Sequence, residues 1–590
     1  MKTMKKLAGL LLALVMVLAL AVPAMAGEGP TATITVPGTP EGHTYAVYQI
    51  FVGDVAADDD GKLVLSNVAW GANAKDKDAS AAAAAAEISK TLTENDTRYM
   101  KDDDENQPQQ DLDQLAEIQK YVNLNSEPFA TVVSGNSVRV PTGYYLIKDL
   151  GEPDGNGGYR IPEGQTASLY MVEIVADVTI TVKSGSTTLE KSILEDKESG
   201  TPEKLKVNTA AIGDDVKYEL EGTLPANYAS YKEFKYAFVD TLAEGLTFNA
   251  DSLTVTVITG ETSATLAKGT DYTVETGKDT DENTTITITF SDLKKLTSVT
   301  AESKIVANYT ATLNKDAVIG SAGNANKAKI TYSGDPNNDT VTGETPESEV
   351  VTYTTGVQIT KVDSADITKT LTGAEFTLTS EDGMNIVLVA SEKFTEDGAG
   401  EYYLLKDGTY TKEQASDETA DLYESTTTKY KKTTELSEID SKQAGVTVKG
   451  MVDENGVVSF TGLNAGHYTL SETKTPSGYN TMEDITFEIT FDMEKAKSKF
   501  SKKADDNEGD SGSLFAIVNA KQGEVSLDTQ LFGSAVAGTK ELLTATITNA
   551  QGSRLPSTGG IGTTIFTVVG GVLMVGAAIL FITKKRTMGD

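Results

Sequence analysis

Cysteine is absent from the 590 residues, which excludes disulfides, thiol catalysis and thiolate metal sites. Histidine is nearly absent, with only His43 and His467. That scarcity argues against a Ser-His-Asp apparatus or a multi-His metal centre, and both residues read as ordinary turn or surface positions. Positive charge is in deficit: 51 Lys and Arg stand against 86 Asp and Glu, giving a net charge of -35 and a pI near 4.5. Phosphate backbones are repelled by such a chain, so no nucleic-acid partner is expected. The acidic clusters Asp58-Asp59-Asp60, Asp102-Asp103-Asp104 and Asp279-Thr280-Asp281-Glu282-Asn283 invite a calcium reading. The last opens like an EF-hand loop but lacks its Gly and distal Glu, so all three read as solvated loops. Neither a metal nor a cofactor is expected.

What is present begins with two targeting ends. Lys2, Lys5 and Lys6 precede an apolar run, Leu7 to Val22, and the small-x-small cleavage site Ala24-Met25-Ala26. Residues 1–26 are thus a secretory signal peptide, and the mature chain starts near Gly27. At the other end stands Leu555-Pro556-Ser557-Thr558-Gly559, then an uncharged apolar run at 561–583, then Lys584-Lys585-Arg586. The run is long enough to cross a bilayer as a helix, and the basic triplet belongs on its cytoplasmic side. Pro556 keeps the preceding motif extended. An exported chain of this length without disulfides needs another staple.

Between the ends the pattern is mostly that of strands. Thr33 to Val36, Tyr45 to Val52, Tyr144 to Ile147, Ala167 to Ile174 and Val178 to Val182 alternate or run apolar, while Ser80 to Lys90 and Asp111 to Tyr121 carry helical signals. Residues 27–183 therefore form a β-rich domain with a helical insert. Residues 184–353 carry strand after strand, including Leu253 to Ile258, Thr284 to Phe290, Ile305 to Leu313 and Ala328 to Tyr332, and predict a β-sandwich. Residues 354–554 repeat the style, with Thr419 to Lys432 as a polar surface insertion and Asp505 to Ser513 as a loop.

Strand parity marks unusual positions, because residues two apart share a face. Lys191 lies with Leu189 and Ile193, and Lys361 with Val357 and Ile359, so both lysines point inward. Asp240 aligns with Tyr236 and Phe238, and Glu472 with Tyr468 and Leu470. Asn326 aligns with Ala328, Ile330 and Tyr332, and Asn549 with Leu543, Ala545 and Ile547. Each of the last two domains thus offers an inward Lys near its start, an inward acid midway and an inward Asn at its last strand. Burial favours the neutral forms of amine and acid, and a neutral amine is a nucleophile. Parity alone leaves two outcomes open: a buried salt bridge with a hydrogen-bonded Asn, or a covalent Lys–Asn link. Asn519 also sits on an apolar parity, with Phe515 and Ile517.

The order of LPSTG motif, span and basic tail resembles the cell-wall sorting signal of Gram-positive surface proteins, whose Thr–Gly bond (here Thr558–Gly559) is attacked by a sortase cysteine. ITKVD around Lys361, YTLSETKTPSGY around Glu472 and ITNAQGSRLPSTGG around Asn549 resemble a Cna-B-type domain. Lys191, FVDTLAEGLTF around Asp240 and GNANKAKITYS around Asn326 resemble the Cna-A-like middle domain of backbone pilins. The whole chain is similar to Gram-positive sortase-assembled major pilins. The resemblance implies a mainly β chain of three tandem immunoglobulin-like sandwiches, with residues 555–590 as sorting signal. It also implies self-formed isopeptide bonds, Lys191–Asn326 and Lys361–Asn549, assisted by Asp240 and Glu472. Asn549 is preferred to Asn519 because it lies on the final strand before LPSTG. Lys183 sits where the pilin-motif lysine falls, although Thr-Val replaces the usual Tyr-Pro before it. Parity turns Lys183 to solvent, opposite to Val178, Ile180 and Val182.

The function implied is that of the major subunit of a cell-wall-anchored pilus that supports adhesion. Such a protein is a sortase substrate and not an enzyme. Its implied partners are pilin and housekeeping sortases, further copies of itself, accessory pilins, peptidoglycan and a host surface. A monomeric LPXTG-anchored adhesin is the alternative, and it needs no acceptor lysine. An anchored hydrolase is disfavoured by the missing Cys and scarce His.

Overall fold

The computed structural model describes residues 30–552 apart from 59–60, 62, 76, 79, 87–118, 181–184, 198–199, 337, 385, 387, 407–409, 439–446, 454, 502–512 and 538–539. Lys183, the LPSTG motif, the 561–583 span, the signal peptide and most of the Asp111 to Tyr121 segment therefore lie outside the described residues. Among the described residues no helix is long and apolar enough to cross a membrane.

Alternation of apolar and polar residues builds the sheets. In Asp215–Thr223, Val216, Tyr218 and Leu220 are buried while their neighbours reach outward, and Lys304–Leu313 behaves alike. Six sheets of three or more strands result among the described residues. In the N-terminal part, Val178–Thr179, Thr31–Thr35 and Ser137–Pro141 form a three-stranded sheet. A five-stranded sheet is built on Thr44–Ala57 and Gly143–Asp149, and both faces of the latter strand are covered. Tyr145 and Ile147 join one apolar cluster, while Tyr144 and Leu146 join another that includes Ala81, Ala84 and Ala85 from the short helix at 81–86.

Two sandwiches follow. The first packs a six-stranded sheet, containing Leu189–Glu195, Asp215–Thr223 and Lys304–Leu313, on a seven-stranded one containing Tyr236–Leu242 and Asn324–Asp335. The second packs two six-stranded sheets. One carries Thr355–Asp363 beside Lys540–Asn549 in parallel; the other carries Gly466–Lys474. The cores interlock at the junction. Leu542 from the last strand joins the core of the first sandwich, and Val207, Val351 and Tyr353 join that of the second. Hydrogen bonds from Ile212 N to Gly462 O (2.9 Å) and from Ser321 N to the Glu541 carboxylate (3.0 Å) seal the same seam.

Several expectations need correction. Asn326 is not on the last strand of its sandwich, because Asn338–Glu344 and Ser348–Tyr353 follow it. Asn338–Glu344 is polar and carries little apolar signal, whereas Ser348–Tyr353 sends Val350, Val351 and Tyr353 into the cores. The polar insertion has wider bounds than Thr419 to Lys432: Tyr430–Glu438 is a strand paired with Leu388–Glu396, and the excursion between them contains 419–429 but not 430–432. The helix Met493–Ser501 went unread because its apolar stripe is sparse: Ala496 is buried, and Met493 and Phe500 pack half-buried on the core of the second sandwich. Asp492 caps it by accepting from Lys495 N at 2.9 Å. His43 is not a surface residue: it is fully buried, with Nδ1 2.9 Å from the Asp149 carboxylate. His467 is exposed, beside Asp382. Asp279 closes a tight turn, accepting from the backbone N of Asp281 and of Asn283 at 2.9 Å each.

Candidate functional site

Each sandwich holds one buried cluster of Lys, acid and Asn. In the first, Lys191 comes from one sheet, while Asp240 and Asn326 sit on neighbouring strands of the other. All three are at most 1% exposed. Lys191 Nζ lies 2.8 and 2.7 Å from the two Asp240 oxygens. Tyr309, from the lysine's sheet, joins them. Its hydroxyl accepts from Lys191 Nζ at 3.0 Å and from Asn326 Nδ2 at 2.8 Å, and donates to Asp240 Oδ2 at 2.6 Å. Burial pulls the Lys191 ammonium down to about 8, against the raising pull of the Asp240 charge.

The second cluster uses a different layout. Lys361 and Asn549 lie on adjacent parallel strands of one sheet, the first and last of the sandwich, with Asp363 the direct partner of Asn549. Two-residue alternation puts Lys361 on the same inward face. Glu472 reaches across from the opposing sheet. Its carboxylate accepts from Asn549 Nδ2 at 2.9 and 3.1 Å, and Lys361 Nζ stands 3.4 Å from Oε1. Met482 touches Lys361 Nζ through sulfur at 3.1 Å, and its backbone N donates to Glu472 Oε2 at 3.0 Å. Burial again pulls the lysine down to about 8, against the Glu472 charge. A covalent bond between Lys and Asn would join two sheets in the first sandwich. In the second it would join the first and last strands of one sheet.

Both amides share one more feature. Asn326 Oδ1 and Asn549 Oδ1 are buried with no hydrogen-bond partner among the described residues. A buried carbonyl left unpaired carries a free-energy cost of about 1–3 kcal/mol. Amide O and N have nearly the same shape, so a protonated acid could meet the oxygen where an ionised one meets the nitrogen. The arrangement therefore gathers an amine, a carboxyl group and an amide in one buried cluster, which suits acyl transfer from nitrogen to nitrogen.

Asn519 is not part of either cluster. It is exposed, adopts a positive φ of 54° and donates to Glu488 at 2.7 Å. A register shift between Thr486 and Glu488 on the paired strand breaks the simple alternation there. Tyr309 escaped the sequence reading. Its signal was a lone hydroxyl on the inward parity of Ile305, Ala307, Ala311 and Leu313, where a buried phenol needs a partner.

A family model described as the Gram-positive pilin backbone subunit 2, Cna-B-like domain, matches residues 212–336. A prealbumin-like fold domain matches 416–507, and the LPXTG cell wall anchor motif matches 547–587. The chain is thus a mainly β, secreted, cell-wall-anchored surface protein that carries a pilin-backbone Cna-B-like domain, a prealbumin-like fold domain and an LPXTG anchor motif. Among curated proteins it is homologous to the trypsin-resistant surface T6 protein of Streptococcus pyogenes serotype M6, 26% identical over 452 residues, covering 68% of this chain and 71% of that protein. Among solved structures, the T6 backbone pilin of the same serotype aligns with a TM-score of 0.46 at 17% identity, over 90% of this chain and 100% of that one. The major pilin SpaD of Corynebacterium diphtheriae aligns with a TM-score of 0.39 at 18% identity, over 89% and 98%.

Proposed function

We propose that the chain is the major shaft subunit of a covalently polymerised pilus, divided into domains at 27–183, 184–353 and 354–554. Internal bonds Lys191–Asn326 and Lys361–Asn549 reinforce it. The observation that carries this reading is the pair of buried Lys, acid and Asn clusters, one in each sandwich of a chain that lacks cysteine. In each, the neutral lysine amine attacks the Asn carbonyl carbon, Asp240 or Glu472 moves the protons, and ammonia leaves. The reaction happens once per site and is self-modification, not turnover. Sorting then cleaves Thr558–Gly559, and the Thr558 carbonyl passes to Lys183 of another copy or finally to peptidoglycan. Joining of this kind is heterologous and does not close, so it yields a fibre. Pilin and housekeeping sortases, accessory pilins and a host surface complete the proposed partners.

A boiled, denaturing gel of cell-wall extract tests the reading. A ladder of covalent multimers is the expected result. One band at monomer mass would establish an anchored monomer instead.

A further inference from the structure

The two clusters solve the same chemical problem with acids of different length. Glu472 touches its asparagine directly, with two contacts to Asn549 Nδ2. Asp240 is one methylene shorter, and among the described residues Asn326 Nδ2 donates to Tyr309 instead of to Asp240. The tyrosine hydroxyl fills that gap. With one donor and two acceptor positions, it touches the attacking nitrogen, the leaving nitrogen and the acid at once.

We propose that Tyr309 is a catalytic proton relay for the Lys191–Asn326 bond, passing a proton from Asp240 to the departing amide nitrogen. The inference rests on the reading of that cluster as a bond-forming site. The steps balance as follows. One proton moves from the Lys191 ammonium to Asp240, leaving a neutral amine and a carboxylic acid. The amine lone pair attacks Asn326 Cγ, the new C–N bond forms, and the carbonyl π pair moves to Oδ1. Nδ2 becomes tetrahedral and basic, so its hydrogen bond with Tyr309 reverses direction. Tyr309 gives its proton to Nδ2 and takes the Asp240 proton in the same movement. The Asp240 carboxylate removes the surplus proton from Nζ. The Cγ–Nδ2 bond breaks with its electron pair on nitrogen, the carbonyl reforms, and neutral ammonia leaves. Tyr309 ends as it began, and Asp240 ends as the carboxylic acid, holding the proton that the Lys191 ammonium brought in.

The surroundings suit a relay. Tyr309 is 3% exposed and held between Tyr218, stacked at 5.3 Å, and Phe248, edge-on at 5.4 Å. Burial, reinforced by the Asp240 charge, drives its hydroxyl well above the ordinary phenol range, so it keeps the proton it must deliver. Tyr218 is also the direct cross-strand partner of Tyr309, which fixes the ring in register.

Tyr309→Phe tests the proposal in the full chain, made by cell-free synthesis and sampled over time by intact and peptide mass. Among the described residues no tyrosine hydroxyl touches Lys361, Glu472 or Asn549, so the Lys361–Asn549 bond serves as the internal control. Positioned proton transfer contributes about 10²–10⁴-fold, so the first-sandwich bond should form that much more slowly in the variant while the control bond is unchanged. Asp240→Glu placed in the Tyr309→Phe chain should restore much of the rate, because the longer acid reaches the amide itself. Equal rates in wild type and Tyr309→Phe overturn the relay, as does failure of the Glu rescue in a chain with native amide protection. Loss of that protection in Tyr309→Phe also counts against it, since the hydroxyl would then be structural. If wild type itself shows no ammonia loss at Lys191 and Asn326, the bond-forming reading fails, which is a distinct result.

Discussion

Removing the second internal bond has a calculable cost. Asn549→Ala deletes the electrophile while leaving Lys361 and Glu472 in place, so no charge loses its partner. A Lys361–Asn549 bond closes a loop of about 190 residues, and loop entropy then assigns it roughly 5 kcal/mol, taken as an upper bound because the relation was built for disulfides. For a domain of this size each kcal/mol moves Tm by about 2–4 °C, so the second sandwich should melt about 10–20 °C lower. Intact mass and calorimetry on the same samples provide the assay. Wild type should be lighter than its sequence by about 17 Da for each bond, and Asn549→Ala should lack one such loss. Asn519→Ala is the control: its side chain is exposed and bonded to Glu488, so mass loss should not change, and Tm should fall by only a few °C, for the alanine at a positive φ. Loss of ammonia that persists in Asn549→Ala, or an equal fall in Tm for Asn519→Ala, refutes the reasoning.

Further outcomes follow from the same geometry. Lys183→Ala should abolish the high-mass ladder and leave both internal bonds intact; a surviving ladder moves the linkage to another lysine, with Lys197 and Lys204 the nearby candidates. Wall-linked protein should end at Thr558 by C-terminal peptide mass, and recovery of peptides from Ile561 onward would contradict this. Variants that keep a free buried lysine, Asn326→Ala and Asn549→Ala, should gain stability relative to wild type as pH rises from 8 to 10. Both lysines are pulled from 10.5 to about 8 in the fold, so in that window the unfolded chain binds more protons and the burden of the buried charge is relieved. Denaturant melts across that range measure it, and a falling or flat difference would contradict the burial account.

Much of this protein was legible because strands obey a local rule. A period of two residues places Lys191, Asp240, Asn326, Lys361, Glu472 and Asn549 on inward faces whatever lies opposite, and the structure buries all six. The absence of cysteine, the signal peptide and the LPSTG motif are likewise properties of the chain in one dimension. Where the local rule breaks, the reading broke with it. The positive φ at Asn519 and the register shift beside it remove the alternation that made that residue look buried. His43 carries no periodic signal, and only the fold brings Asp149 against it. The tertiary structure also decided what parity cannot express, namely which strand lies beside which. Sheet order puts Lys361 and Asn549 side by side but sets Lys191 across the sandwich from Asn326. It also brings Tyr309, on yet another strand, into the space that a short acid leaves open. Neighbour relations between strands more than a hundred residues apart depend on the packing of whole sheets, and no local pattern encodes them.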